Sequence, residues 1–191
     1  MLTARRNILT GAGDLPFGTS AQTYRIKLAA EAWELRGYAA LRRRTFCEEQ
    51  GLFDGSDHDE HDVLATPIVA VSYAAVCDDE VIGCVRIFPT DDSDTWYGSR
   101  LSVDPEWRGA TPLVAGLIRA AVCTAHARGC RRFLANVQRQ NAPLFRRLHW
   151  HGIEELDVRG RPHLLMRADL SHYPPRAVSI ESAFEPKRVA S

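Results

Sequence analysis

The sequence predicts an α+β domain: a mixed, mostly antiparallel seven-stranded sheet with helices on both faces. Three observations lead there. Short apolar or alternating runs recur between turn residues, as in Tyr24–Leu28, Pro67–Cys77 and Val81–Phe88. Two longer segments carry helical spacing instead. The order is strand, helix, three meandering strands, helix, strand, helix, two strands, and its hairpins make most of the sheet antiparallel.

Residues 1–22 hold Gly11, Gly13, Pro16 and Gly18 with no sustained period and are expected as a flexible lead-in. Tyr24–Leu28 alternates as a first strand. Glu31–Gln50 reads as helix, with a break expected near Gly37, and Gly51–Asp62 as a polar, acidic loop. Pro67–Cys77 and Val81–Phe88 form a hairpin turning at Asp78–Glu80, and Pro89 ends it. A further strand lies around Gly98–Val103. The helix Leu113–Arg128 has the stripe Val114, Leu117, Ile118, Ala121, Val122 and Ala125, and Gly129 closes it. Arg132–Val137 is a strand. Asn141–His149 is a short helix with Asn141 as its N-cap. Ile153–Val158 and His163–Ala168 flank a turn at Gly160–Pro162. The domain is expected over 23–170, with a C-terminal tail over 171–191 that wraps the surface.

Formal charge is zero at pH 7, so no overall field attracts nucleic acid. Nearly all positive charge is arginine, since lysine occurs only at Lys27 and Lys187. Cys47, Cys77, Cys84, Cys123 and Cys130 form no CxxC and read as reduced core residues of a cytoplasmic protein. No apolar run reaches the roughly 18 residues of a membrane span, and no export signal core follows Met1.

The chemistry concentrates in Ser99-Arg-Leu-Ser-Val-Asp-Pro-Glu-Trp-Arg-Gly109 and Asn136-Val-Gln-Arg-Gln-Asn-Ala-Pro-Leu-Phe145. A strand runs into a loop that opens a helix, leaving N–H groups free for an anion such as a pyrophosphate. Arg86 lies in an otherwise apolar strand, where a charge needs a partner: Asp59, Asp62 or a substrate carboxylate. Asp57, Asp59 and Asp62 form a polar loop or a seat for a cationic substrate. Glu48 and Glu49 end a helix, as a base or as solvated acids. Arg42-Arg-Arg44 reads as a solvated helix face. His58–Asp62 lacks His-Glu-x-x-His spacing, so no metal is expected.

With that loop and element order, residues 24–170 resemble the GNAT N-acyltransferase superfamily. The resemblance implies acetyl-CoA or another acyl-CoA as acyl donor and a small amine or amino-acid-like metabolite as acceptor. It places Leu101, Ser102 and Val103 along the pantetheine arm. Arg108, Gly109, Ala110, Thr111, Pro112 and Leu113 would wrap the pyrophosphate, and Asn141 would meet the CoA arm. The usual loop is Arg/Gln-x-x-Gly-x-Gly/Ala; here the later glycines are missing, and Pro112 removes a donor. The position of the family's proton-donating tyrosine is Phe145.

The front half is similar to acyl-homoserine-lactone synthases in Arg44–Leu52, Asp57-x-Asp59-x-x-Asp62, Gly83–Thr90 and Ser99-Arg100. It departs from them at Leu52, where no tryptophan stands nearby, and at Tyr97, where a glutamate is usual. Gly160-Arg-Pro-His163 with these two halves resembles a bacterial GNAT-like subgroup associated with nitrogen starvation. The catalytic candidates are Glu49, Arg86, Tyr97, Arg100 and His163. Tyr97 reads as a proton donor or acceptor near the thioester or as a packed tyrosine, and His163, in the strand that borders the acceptor pocket in the GNAT fold, as a proton-transfer group or a hydrogen-bonded structural histidine. No nucleic acid or membrane partner is expected, and a homodimer stays open. Two other readings are a lactone-synthase-like enzyme with a longer acyl donor and a non-catalytic CoA-binding sensor.

Overall fold

The computed structural model describes residues 22–74, 77–92, 94–109, 111–176 and 180–184. The lead-in expected over residues 1–22 lies almost wholly outside them. The strands are β1 (Gln22–Leu28), β2 (Thr66–Ala74), β3 (Cys77–Pro89), β4 (Thr95–Val103), β5 (Arg132–Gln138), β6 (Trp150–Val158), β7 (Arg161–Ala168) and β8 (Ile180–Phe184). The helices are α1 (Ala32–Arg43), α2 (Thr111–Ala127) and α3 (Ala142–Arg147). The sheet order is β6-β7-β5-β4-β3-β2-β1-β8, antiparallel throughout except for β4 beside β5. The α+β class is as the sequence predicts. The segment expected as a wrapping tail instead adds an eighth strand, β8, antiparallel to β1.

Alternation along β2 shows why both faces carry helices. Ile68 and Ala70 point into the main core with Leu113, Leu117 and Ala121 of α2. Val69 and Val71 point the other way, toward Tyr38 and Leu41 of α1. A strand covered on both sides reads as a continuous apolar run.

Three local expectations are corrected. Gly37 does not break α1: a Cβ there would lie 2.7 Å from Val81 Cγ2, so glycine lets the helix sit close to β3. Asp78–Glu80 are not a turn: Ala74 pairs with Cys77, so these acids extend β3. Asn141 stands at the start of α3 but makes no side-chain cap bond. At the far end, Arg159 (φ 55°) and Gly160 (φ 75°) make the two-residue turn between β6 and β7, so Arg161 and Pro162 lie in β7.

Candidate active site

The parallel pairing of β4 with β5 lasts three residue pairs, from Thr95–Arg132 to Tyr97–Leu134. Beyond these the strands part. The cause lies on β4, where a bulge between the Arg86–Ser99 and Cys84–Ser102 pairs puts Arg100 at φ 56°. A bulge bends its strand and re-aims the side chain it carries. The wedge opens on a cavity of about 500 Å³. Its floor is apolar, formed by Val85, Ile118, Ala121, Phe133, Phe145 and Trp150, while Phe46, Phe53, Phe88 and Tyr97 supply aromatic walls. Phe46 is delivered there by a π-helical turn, Arg44–Glu49, that prolongs α1.

Beside the cavity stands a closed lattice of three guanidiniums and three carboxylates. Arg42 donates from Nε to Asp57 Oδ2 (2.7 Å) and from Nη1 to Asp62 Oδ1 (2.6 Å). Arg86 grips Asp59 with both terminal nitrogens (2.6 and 2.9 Å), reaches Asp62 Oδ2 (2.8 Å) and donates from Nε to Ser99 Oγ (2.9 Å). Arg100 donates from Nε to Asp57 Oδ2 and from Nη2 to Asp59 Oδ2, each at 2.9 Å. Burial alone would raise the Asp62 carboxyl, but hydrogen bonds from Arg42, the Asp59 N–H and Arg86 hold it well below the usual carboxylate range. Asp59 is lowered too: burial opposes this, and Arg86 outweighs it. Burial, then the charge of Arg86, pulls the Arg100 guanidinium below its ordinary value.

The lattice settles what Arg86 pairs with, namely Asp59 and Asp62. It corrects two other expectations. Arg42 is not on a solvated face; its side chain is 2% exposed. The three acids of the loop are occupied by arginine, so they offer no open seat for a cation.

Arg86, Tyr97, Arg100 and His163 line the same cavity, with Leu101, Asn141 and Phe145. Tyr97 stacks on Phe88 with ring centroids 6.1 Å apart. His163, buried between Gln138 and Leu156 on the neighbouring strands, places Nδ1 2.8 Å from the Arg161 carbonyl oxygen. A carbonyl only accepts, so Nδ1 donates that bond, and Nε2 is the ring nitrogen left for another partner. Glu49 is not among the lining residues: it pairs with Arg108, which also donates from Nε to the Val103 carbonyl (3.2 Å). Ser102 and Val103 are buried on β4. Ala110 lies outside the described residues.

The loop and first turn of α2 fit an anion only in part. The Thr111 N–H is bonded to Gly109 O (3.1 Å), and Pro112 has none. Leu113 is left as first-turn donor, and Arg108 as the local charge. The wedge fits an extended arm better, because the β4 edge past Tyr97 has no sheet partner on the β5 side.

Sequence reasoning missed Arg42, Phe53 and Arg159. The signal for Arg42 was present: Glu34, Tyr38, Leu41, Arg42 and Thr45 form one buried helical stripe. Phe53 and Arg159 carried none. Their meeting joins the loop after α1 to the β6–β7 turn, with Arg159 over the Phe53 ring at 4.2 Å and Arg100 at 4.4 Å from the same centroid.

The splayed parallel pair, its cavity and the adjoining helix start define an N-acyltransferase class of fold. Residues 38–150, well over half of the chain, match the Acetyltransferase (GNAT) family, and the chain belongs to that family. Solved structures agree on the fold. Escherichia coli ElaA is 18% identical, covering 76% of this chain and 98% of its own, with a TM-score of 0.62. An acyl-CoA N-acyltransferase from Pseudomonas aeruginosa is 17% identical over 76% of this chain and 98% of its own, with a TM-score of 0.61. The CoA-dependent acyl-homoserine lactone synthase BjaI, solved with SAM and isopentyl-CoA, is 18% identical over 70% and 74%, with a TM-score of 0.55. A comparison with curated proteins gave no match. No helix among the described residues is long and apolar enough to cross a membrane.

Proposed function

We propose that this protein transfers an acyl group from an acyl-CoA, acetyl-CoA first, to the nitrogen of a small amine acceptor. Within the family, Gly160-Arg-Pro-His163 is our ground for the nitrogen-starvation-associated subgroup. The observation that carries the activity is the open β4 edge facing a cavity that His163 also lines, with no hydrogen-bond partner for its Nε2 among the described residues.

Acyl-CoA, when bound, supplies the activated carbonyl. The unpaired N–H groups of β4 past Tyr97 are the donors for its developing negative charge. His163 Nε2 takes the proton from the attacking amine, so that a neutral nitrogen forms the new bond. Tyr97 donates a proton toward the leaving sulfur, a role Phe145 has no hydroxyl to fill. A thiol with pKa near 8.5 is a good leaving group, so that help is modest. Arg86 and Arg100 act by holding the β4 bulge, and Arg108 with Leu113 holds phosphate at the mouth. Glu49 competes for Arg108 rather than serving as the base.

Calorimetry with CoA and a thiol-release assay across amines test this. Binding followed by thiol release is expected. Stabilisation by CoA with no release from any amine supports the sensor reading instead. One observation favours a longer donor than acetyl: the cavity holds about 500 Å³ over an apolar floor. A ladder from acetyl- to octanoyl-CoA decides chain length, and lactone formation from S-adenosylmethionine would make the protein synthase-like.

A further inference from the structure

The charges around the cavity bear on what kind of amine it takes. Within the lattice, Asp57, Asp59 and Asp62 are balanced by Arg42, Arg86 and Arg100. The acids therefore present no net negative charge to an acceptor. A fourth guanidinium, Arg159, also lines the cavity, and no carboxylate among the described residues lies within ion-pair distance of it. The sum at the acceptor side is thus positive. A polyamine or other dication would meet no counter-charge there; a carboxylate would.

Arg159 is prepared for that role. Its backbone sits at φ 55° in the tight turn between β6 and β7, which fixes where the side chain starts. One of its five N–H donors is spent, from Nη1 to the Leu52 carbonyl at 3.3 Å. Its Cζ lies over the Phe53 ring, 4.2 Å from the centroid, which holds the guanidinium in place while its other N–H donors remain for hydrogen bonds. A planar fork held this way grips a carboxylate bidentately with little further ordering. His163, the proposed base, belongs to the same hairpin and lines the same cavity. Leu52 and Phe88 line the same cavity and give it apolar surface for a side chain.

We propose that the acceptor is an amino acid with an apolar side chain, its carboxylate taken by Arg159. This rests on the acyltransferase reading and narrows its acceptor.

The test uses the full chain, acetyl-CoA and matched probes: leucine with isoamylamine, and phenylalanine with phenethylamine and phenylalaninamide. Each acid is expected to exceed its decarboxylated or amidated partner in kcat/KM by about tenfold to a hundredfold, the range of a charged hydrogen-bonded pair. Arg159→Met should erase that advantage through KM, and Arg159→Lys should restore part of it. The inference is overturned if acid and amine are taken equally, if the advantage survives in Arg159→Met, or if that variant instead raises the CoA Kd. CoA binding with no acid acylated overturns it and leaves the donor site standing. Failure of wild-type protein to bind CoA removes the acyltransferase reading, and this inference falls with it.

Discussion

Replacing Arg42 by methionine should be among the most damaging single changes in this molecule. The Arg42 side chain is 2% exposed, and its partners Asp57 and Asp62 are 7% and 6% exposed. Methionine fills much of the same volume but leaves three carboxylates facing two guanidiniums. Breaking a buried pair from one side costs about 3–5 kcal/mol, because the surviving charge stays in a poorly solvated place. For a chain of 191 residues, that converts to a fall in Tm of roughly 6–20 °C. Asp62→Asn should be similarly costly, leaving an excess guanidinium. The double variant restores the balance, so its loss should fall short of the sum by at least about 1 kcal/mol. The effect has a pH signature. Asp59 and Asp62 have folded pKa values depressed below the unfolded value. Their contribution is therefore complete above pH ~4 and lost as pH falls through the folded values. Wild type should lose stability steeply in acid, and its lead over Arg42→Met should shrink there. Thermal and urea unfolding from pH 7 down to about pH 1 measure all of this. A cost below about 1 kcal/mol, or a gap that does not change with pH, would refute the reading of Arg42 as the counter-charge these buried carboxylates require.

Four further outcomes are expected. His163→Gln should lower kcat by about 10²–10⁴-fold with the CoA Kd unchanged; an unchanged kcat means another base. Arg108→Ala should raise the CoA Kd, while Glu49→Gln should lower it by releasing Arg108; titration calorimetry reads both, and equal shifts in one direction would contradict the assigned competition. Gly98→Ala puts a Cβ 2.9 Å from the Phe133 ring, costs about 1–3 kcal/mol and pushes that ring, so donors longer than acetyl should lose most in the chain-length ladder. The Cys84 thiol, pushed up to about 12 by burial, should resist an aromatic disulfide reagent at pH 8 until the protein unfolds, whereas the partly exposed Cys47 reacts in the folded state.

The elements were legible because their causes are local. The α2 stripe, the β2 and β3 runs and the Gly160 turn each announce themselves within a dozen residues. Errors came where a local cue had two meanings. Asp78–Glu80 looks like a turn, but its backbone belongs to the outer end of a long strand. Ile180–Phe184 (Ile-Glu-Ser-Ala-Phe) shows no strict alternation, and prolines at 174, 175 and 186 make it read as tail. Arg42 was hidden by its neighbours, since three consecutive arginines read as charge before they read as helix phase. The site is less legible because its bonds are not local. The lattice joins residues 15, 20, 27 and 43 positions apart. The positive φ of Arg100 belongs to a bulge that no arginine advertises, and Phe53 meets Arg159 only after seven strands have been placed.

An apolar cluster could have tied α1, the acidic loop, β3 and β4 together at lower desolvation cost. What it could not do is fix orientation. Arg86 holds Asp59 with two parallel bonds and Ser99 with a third, and Arg100 enters the same lattice from inside the bulge. Directional bonds of this kind leave β4 one way to bend, and that bend is what parts it from β5. The same pairings silence Asp57, Asp59 and Asp62. Their negative charge is spent on shape, and the unneutralised charge beside the acceptor space is the cation of Arg159. Shape and selectivity thus have one origin: arginines that close the lattice make the wedge, and the arginine left out of it sets the sign of what the wedge admits.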